Sequence, residues 1–315
     1  MEKTPEIQDI LDQLSRSTNT IDFHKPNKIT NQIRAYRDFY NFNQADIDLH
    51  FGKLAINNKT VHVQIFKPKH HRATVFLLHG YLSHIGHLSH VIHDLNRQHF
   101  TVVSYDLQGH GLSSGKAASI NTFYDYVATM EQLLEIIKKE MPGRLYLIGH
   151  STGASIIIDY CLRHPAAYFD KIILVAPLIR SNHWYLSNFA FYLTKLVPFI
   201  KTIKRKFREN SSDKRFLHDL KYDPLQTTEI PLNWVKALIA WNKKINNYGS
   251  TKLPTFLIQG NQDKTVDWKY NLDLIQDKFE NLQSVQIDNG RHELFNESEP
   301  IRKIVFKEIQ EFLND

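Results

Sequence analysis

Leu145-Tyr-Leu-Ile-Gly-His-Ser-Thr-Gly-Ala-Ser-Ile-Ile-Ile-Asp-Tyr-Cys-Leu-Arg163 reads as a strand, a sharp turn and a helix. Leu145 to Ile148 is a short apolar run of strand length, and the run from Ser151 to Arg163 stops just before Pro165. The turn between them, Gly149-His-Ser151-Thr-Gly153, sets a serine between two glycines. Side chains at the flanking positions of so sharp a turn would clash, and the turn throws the hydroxyl clear at the helix N-terminus. Developing negative charge is favoured there by the helix dipole. Ser151 is therefore the candidate nucleophile.

Outward from this unit the same rhythm repeats. Further runs of strand length lie at Thr74 to Leu78, Phe100 to Tyr105, Lys171 to Val175, Thr255 to Ile258 and Ser284 to Ile287, with helical patterns such as Thr122 to Lys139 between them. Strand alternating with helix predicts an α/β fold: a mostly parallel sheet covered by helices on both faces. Residues 47 to 66 predict an antiparallel edge hairpin turning at Asn57-Asn58. The alternation breaks once, over 178–250, where aromatic and basic residues follow a helical period without a clear strand. The expected organisation is a poorly defined N-terminal lead-in over 1–40, a core over 41–177 and 251–315, and a helical insertion over 178–250.

A serine hydroxyl needs a base, and the base an orienting acid. The strand ending at Ile258 runs into Gln259-Gly-Asn-Gln-Asp263, and the strand ending at Ile287 runs into Asp288-Asn-Gly-Arg-His292. Both lie just past the carboxyl ends of predicted strands, where open parallel sheets place their sites. The order Ser151, Asp263, His292 is that of the α/β-hydrolase arrangement. Asp267 and Asp288 stand close enough in sequence to compete for the acid's place. After the strand ending at Leu78, His79-Gly80-Tyr81 offers a flexible turn whose Tyr81 N–H, with that of Thr152, suits an oxyanion hole.

His84, His87, His90 and His93 recur every third residue beyond that turn. On a helix such a spacing drifts by about 60° per step, so four ligands cannot converge on one ion, although two adjacent ones with a partner elsewhere could. The proposed chemistry requires no metal or cofactor.

These residues resemble the α/β-hydrolase fold esterases of the monoacylglycerol lipase and bacterial lysophospholipase branch. The likeness runs over about 45–315 through His79-Gly80, Asp106-Leu-Gln-Gly-His-Gly-Leu-Ser113, Gly149-His-Ser-Thr-Gly153, Gly260-Asn-Gln-Asp263 and Gly290-Arg-His292. Phe123-Tyr-Asp-Tyr126, Tyr222-Asp-Pro224 and His292-Glu-Leu-Phe-Asn-Glu297 look most like the lysophospholipases. The resemblance implies Ser151 as nucleophile, Asp263 as acid, His292 as base, and Tyr81 and Thr152 as backbone donors. It also implies that the insertion is a lid. Gln108 and Thr152 stand where many relatives carry arginine and methionine.

The expected activity is cleavage of an acyl ester of a lysophospholipid or monoacylglycerol through an acyl-enzyme. The alternative is a peptidase or small-molecule carboxylesterase of the same fold. Net charge is +6, and Lys and Arg outnumber Asp and Glu by five within residues 201–221 alone. That run sits beside Trp184, Tyr185, Phe189, Phe191, Tyr192, Leu196, Val197, Phe199 and Ile200, so contact with an anionic membrane surface is expected. A nucleic-acid-binding protein is disfavoured because no such motif is present and the basic residues are confined to the insertion. The N-terminal residues lack a basic start followed by an apolar run, and no window approaches the ~18 uninterrupted apolar residues of a spanning helix. With a single cysteine, Cys161, the expected setting is the cytoplasm, with peripheral contact to the inner membrane.

Overall fold

The computed structural model describes residues 5–165, 169–194 and 199–315. Eight strands form one sheet in the order β1-β2-β4-β3-β5-β6-β9-β10. They are β1 (Ile47–Ile56), β2 (Lys59–Pro68), β3 (Ala73–Leu78), β4 (Phe100–Tyr105), β5 (Leu145–His150), β6 (Lys171–Val175), β9 (Thr255–Gly260) and β10 (Leu282–Ile287). Only β2 runs antiparallel to its neighbours, and Asn57 and Asn58, both with positive φ, make the tight turn of the edge hairpin. Every residue of β3, β4, β5 and β9 is buried, as expected of strands covered on both faces.

Helices α4 (Tyr124–Glu140), α5 (Thr152–Arg163) and α9 (Trp268–Lys278) cover one face. Helices α1 (Pro5–Arg16), α2 (Asn31–Phe39), α3 (Ser89–Arg97) and α10 (Glu299–Asn314) cover the other. Helix α5 is buried from Thr152 to Leu162, so Cys161 is a core side chain whose thiol is pushed up by burial.

The N-terminal segment departs from the expected lead-in. Ile7, Leu11 and Leu14 fall on one face of α1 and are buried in the same core as Ile33 and Tyr36 of α2, so this stretch packs as part of the sheet's cover. The insertion departs too. Between α6 (Trp184–Thr194), α7 (Lys214–Tyr222) and α8 (Leu232–Ile245) it holds an antiparallel pair, β7 (Thr202–Lys204) with β8 (Glu229–Pro231). Three residues per strand are too few for an alternating pattern to register in the sequence.

Candidate active site

Ser151 stands at the end of β5 with φ 53° and ψ −114°, a conformation that L residues rarely hold. The turn is tight enough to dictate its neighbours. A Cβ on Gly149 would lie 2.6 Å from Ala154 N, and one on Gly153 would lie 2.5 Å from the Leu78 carbonyl oxygen of β3. The sequence-predicted residues then meet across the carboxyl edge of the sheet. His292, after β10, places Nε2 3.0 Å from Ser151 Oγ, and its Nδ1 lies 2.8 Å from Asp263 Oδ2, after β9.

The competing carboxylates are engaged elsewhere. Asp267 caps α9 at Tyr270 N, and Asp288 accepts from Asn261 Nδ2 at the surface. Asp263 is buried and further held by Thr265 N–H and Val266 N–H on Oδ1, 2.7 and 3.2 Å away, and by Gln259 Nε2 on Oδ2. Burial alone would raise its carboxyl pKa, but the His292 ring and these donors outweigh that and hold it below the usual carboxylate range. Burial alone would likewise lower the His292 pKa, and the Asp263 carboxylate outweighs it and raises it.

Tyr81 and Thr152 sit on the loops after β3 and β5, and neither backbone N–H has a hydrogen-bond acceptor among the described residues. His79, fully buried, accepts Leu107 N–H at Nε2 and therefore donates from Nδ1 to the Gly80 carbonyl 2.7 Å away, which pins the peptide leading into Tyr81. Unengaged backbone donors beside a serine with a hydrogen-bonded imidazole are groups that acyl transfer can use.

Sequence reasoning missed three supports. His150 Nε2 meets the His292 carbonyl at 2.9 Å and so ties the Ser151 turn to the His292 loop. The Tyr81 ring stacks on Trp234 of α8, with centroids 3.6 Å apart and planes at 10°, which joins the insertion to the loop after β3. The third is buried: Asp223, just past α7, lies 2.9 Å from His84 Nε2 and 2.8 Å from His87 Nε2 and accepts the Tyr40 hydroxyl. Two adjacent histidines do therefore find a partner elsewhere, as the spacing allowed.

The hydrogen bonds make this cluster a clamp between core and insertion. His84 Nδ1 accepts Gly86 N–H, so its hydrogen sits on Nε2 and points at Asp223. A metal bound at that Nε2 would force the hydrogen onto Nδ1, against the Gly86 N–H. Burial opposes the Asp223 charge, but the two histidines outweigh it and keep the carboxyl ionised.

A mostly parallel sheet with a Ser–His–carboxylate series along its carboxyl edge defines an α/β-hydrolase fold. Within that class the chain belongs to the serine aminopeptidase, S33 family (Hydrolase_4), whose model matches residues 69–299. Over 264 residues it is 27% identical to the monoglyceride lipase homolog of monkeypox virus, covering 82% of this chain and 95% of that one. It is 23% identical over 270 residues to the probable lysophospholipase L2 of Haemophilus influenzae, covering 77% and 84%. The solved structure of a soluble variant of the Saccharomyces cerevisiae monoglyceride lipase, in complex with a substrate analog, matches with a TM-score of 0.74 over 86% of this chain and 96% of that one. At 19% identity that likeness is one of fold.

Proposed function

We propose that this chain is a carboxylic ester hydrolase that cleaves the acyl ester of a monoacylglycerol or lysophospholipid. The observation that carries the proposal is the Ser151–His292–Asp263 series, whose Ser151 and His292 line a cavity of about 500 Å³. Leu178, Phe191 and Leu238 give that cavity an apolar lining suited to an acyl chain. His292 takes the Ser151 proton as Oγ attacks the ester carbonyl, and Tyr81 N–H and Thr152 N–H receive the oxyanion. His292 returns the proton to the leaving alcohol, and the acyl-enzyme is then opened by water through the same steps. A panel of monoacylglycerols, lysophospholipids, p-nitrophenyl esters and peptide amides tests this reading. Turnover confined to peptide amides would replace it with the peptidase alternative.

The raised pKa of His292 sets the pH dependence. The base works only when neutral, so activity is lost as pH falls through that pKa. On p-nitrophenyl butyrate, kcat/KM is expected to rise with pH by one-proton titration, its midpoint above the ordinary histidine value of 6.5. A midpoint below that value would contradict the pairing with Asp263.

The insertion is proposed to act as a lid that meets a lipid surface. Tyr185, Leu186 and Phe189 of α6 and Phe199 beyond it are exposed, as are Lys201, Lys204 and Lys206. Leu196 and Val197 lie outside the described residues. No helix among the described residues is long and apolar enough to cross a membrane, so attachment would be peripheral. Each lysine near an anionic surface contributes about 1 kcal/mol. Replacing all three by glutamine is expected to weaken sedimentation with anionic liposomes tenfold or more at low salt, and high salt should have the same effect on the native chain. Unchanged sedimentation would leave these lysines as a solvated face.

A further inference from the structure

The basic run does not face one way. Lys204, Arg205, Lys206 and Arg208 all border the cavity that holds Ser151, Tyr81 and His292, but Lys204, Lys206 and Arg208 are exposed whereas Arg205 between them is partly buried. Its Nη1 reaches the Gln226 side chain and, at 3.5 Å, the Thr227 carbonyl, and its guanidinium lies 4.4 Å over the Phe207 ring. Those partners are neutral. Among the described residues no carboxylate comes within ion-pairing distance of Arg205, whereas Arg97, Arg163, Arg291 and Arg302 all have one.

Burial lowers the Arg205 pKa, and the Glu293 carboxylate on the same cavity opposes that without reaching ion-pairing distance. Trp234, stacked on Tyr81, closes the cavity wall as an apolar surface. A partly desolvated guanidinium with no carboxylate at ion-pairing distance is costly to hold, and its planar fork matches a phosphate.

We propose that Arg205 forms a subsite for a phosphate group carried by the substrate, so that the enzyme selects lysophospholipids over uncharged monoacylglycerols. This rests on the ester-hydrolase reading above, because the glycerol backbone places a phosphate a few bonds from the ester that Ser151 attacks. Arg205 acts here on specificity and does not touch the reacting bond.

The test uses two uncleavable ethers held below their micelle concentrations, so that no lipid surface contributes: 1-O-octylglycerol 3-phosphate and 1-O-octylglycerol. Each is measured as a competitive inhibitor of p-nitrophenyl butyrate hydrolysis, and the readout is the ratio of their inhibition constants. Inorganic phosphate is run alongside to separate a lipid phosphate from the free ion. The native enzyme is expected to bind the phosphate ether about tenfold or more tightly than the alcohol, with inorganic phosphate far weaker than either ether. Arg205→Met should bring the ratio close to one, and Arg205→Lys should give an intermediate value because it keeps the charge but loses the fork.

A native ratio near one would overturn the proposal, as would an unchanged ratio in Arg205→Met. So would an equal fall in a Lys204→Gln/Lys206→Gln variant, which would make the preference a property of the general field. Tight binding of inorganic phosphate alone would also overturn it in favour of a free-anion site. Fluorophosphonate labelling of the native chain reports on Ser151 separately, so failure of the subsite and failure of the ester-hydrolase reading are distinguishable.

Discussion

Ser151→Ala is expected to lower kcat on p-nitrophenyl butyrate by a factor on the order of 10⁴ to 10⁶ and to abolish fluorophosphonate labelling, with little change in thermal stability. The hydroxyl is the only atom removed, and its hydrogen bond is the 3.0 Å contact with His292 Nε2. It does not cap α5, so the helix loses no support. The turn is kept by contacts the substitution leaves in place: Ser151 N–H to the Val175 carbonyl and Leu178 N–H to the Ser151 carbonyl. Alanine inherits the φ of 53° and with it whatever strain the turn already carries. The residual rate should reflect the Tyr81 and Thr152 donors, which remain. Labelling and turnover preserved in the purified variant would end the serine-hydrolase reading.

The strand, turn and helix around Ser151 were legible because a buried parallel strand and a buried helix leave continuous apolar runs, and the glycines between them have few other uses. The positions of Asp263 and His292 were legible for the same reason, each following a strand. The choice of Asp263 over Asp267 and Asp288 was not. It depends on β9 and β10 lying side by side and on two backbone N–H groups gathering at Asp263 Oδ1, and neither is a property of residue type. The N-terminal helices were obscured because the buried residues of α1 are separated by Gln8, Asp9, Asp12 and Gln13, and their partners on α2 lie across an irregular connection. A run of basic residues says nothing about which of them turns inward. Arg205 differs from Lys204 and Lys206 through the β7–β8 pairing, where Arg205 N–H bonds to the Thr228 carbonyl just beyond the last paired residues. The clamp at Asp223 joins residues more than a hundred positions apart, and no local pattern announces it.

Asp263→Asn is expected to lower kcat by a factor on the order of 10⁴ while leaving the fold in place. The surroundings fix how the new amide sits. Thr265 N–H and Val266 N–H both donate to the Oδ1 position, so that position must keep an oxygen, and the amide NH₂ is driven into the Oδ2 position. There it faces His292 Nδ1, 2.8 Å away. An NH₂ at that distance is tolerated only if Nδ1 becomes an acceptor, which moves the imidazole hydrogen to Nε2, against Ser151 Oγ. A base with its hydrogen already on that nitrogen cannot take another from the serine. Gln259 Nε2, which also donates toward Oδ2, loses that acceptor at the same time and keeps only the Gly260 carbonyl, adding a modest loss of stability. Asp267→Asn should change activity by no more than a few-fold, since asparagine caps a helix as aspartate does and Asp267 does not contact the imidazole. The comparison is made by steady-state kinetics on one soluble ester, with the melting temperature of each variant measured alongside. If Asp267→Asn were the crippled variant and Asp263→Asn the mild one, the acid would have to be reassigned and the Asp263–His292 contact read as structural.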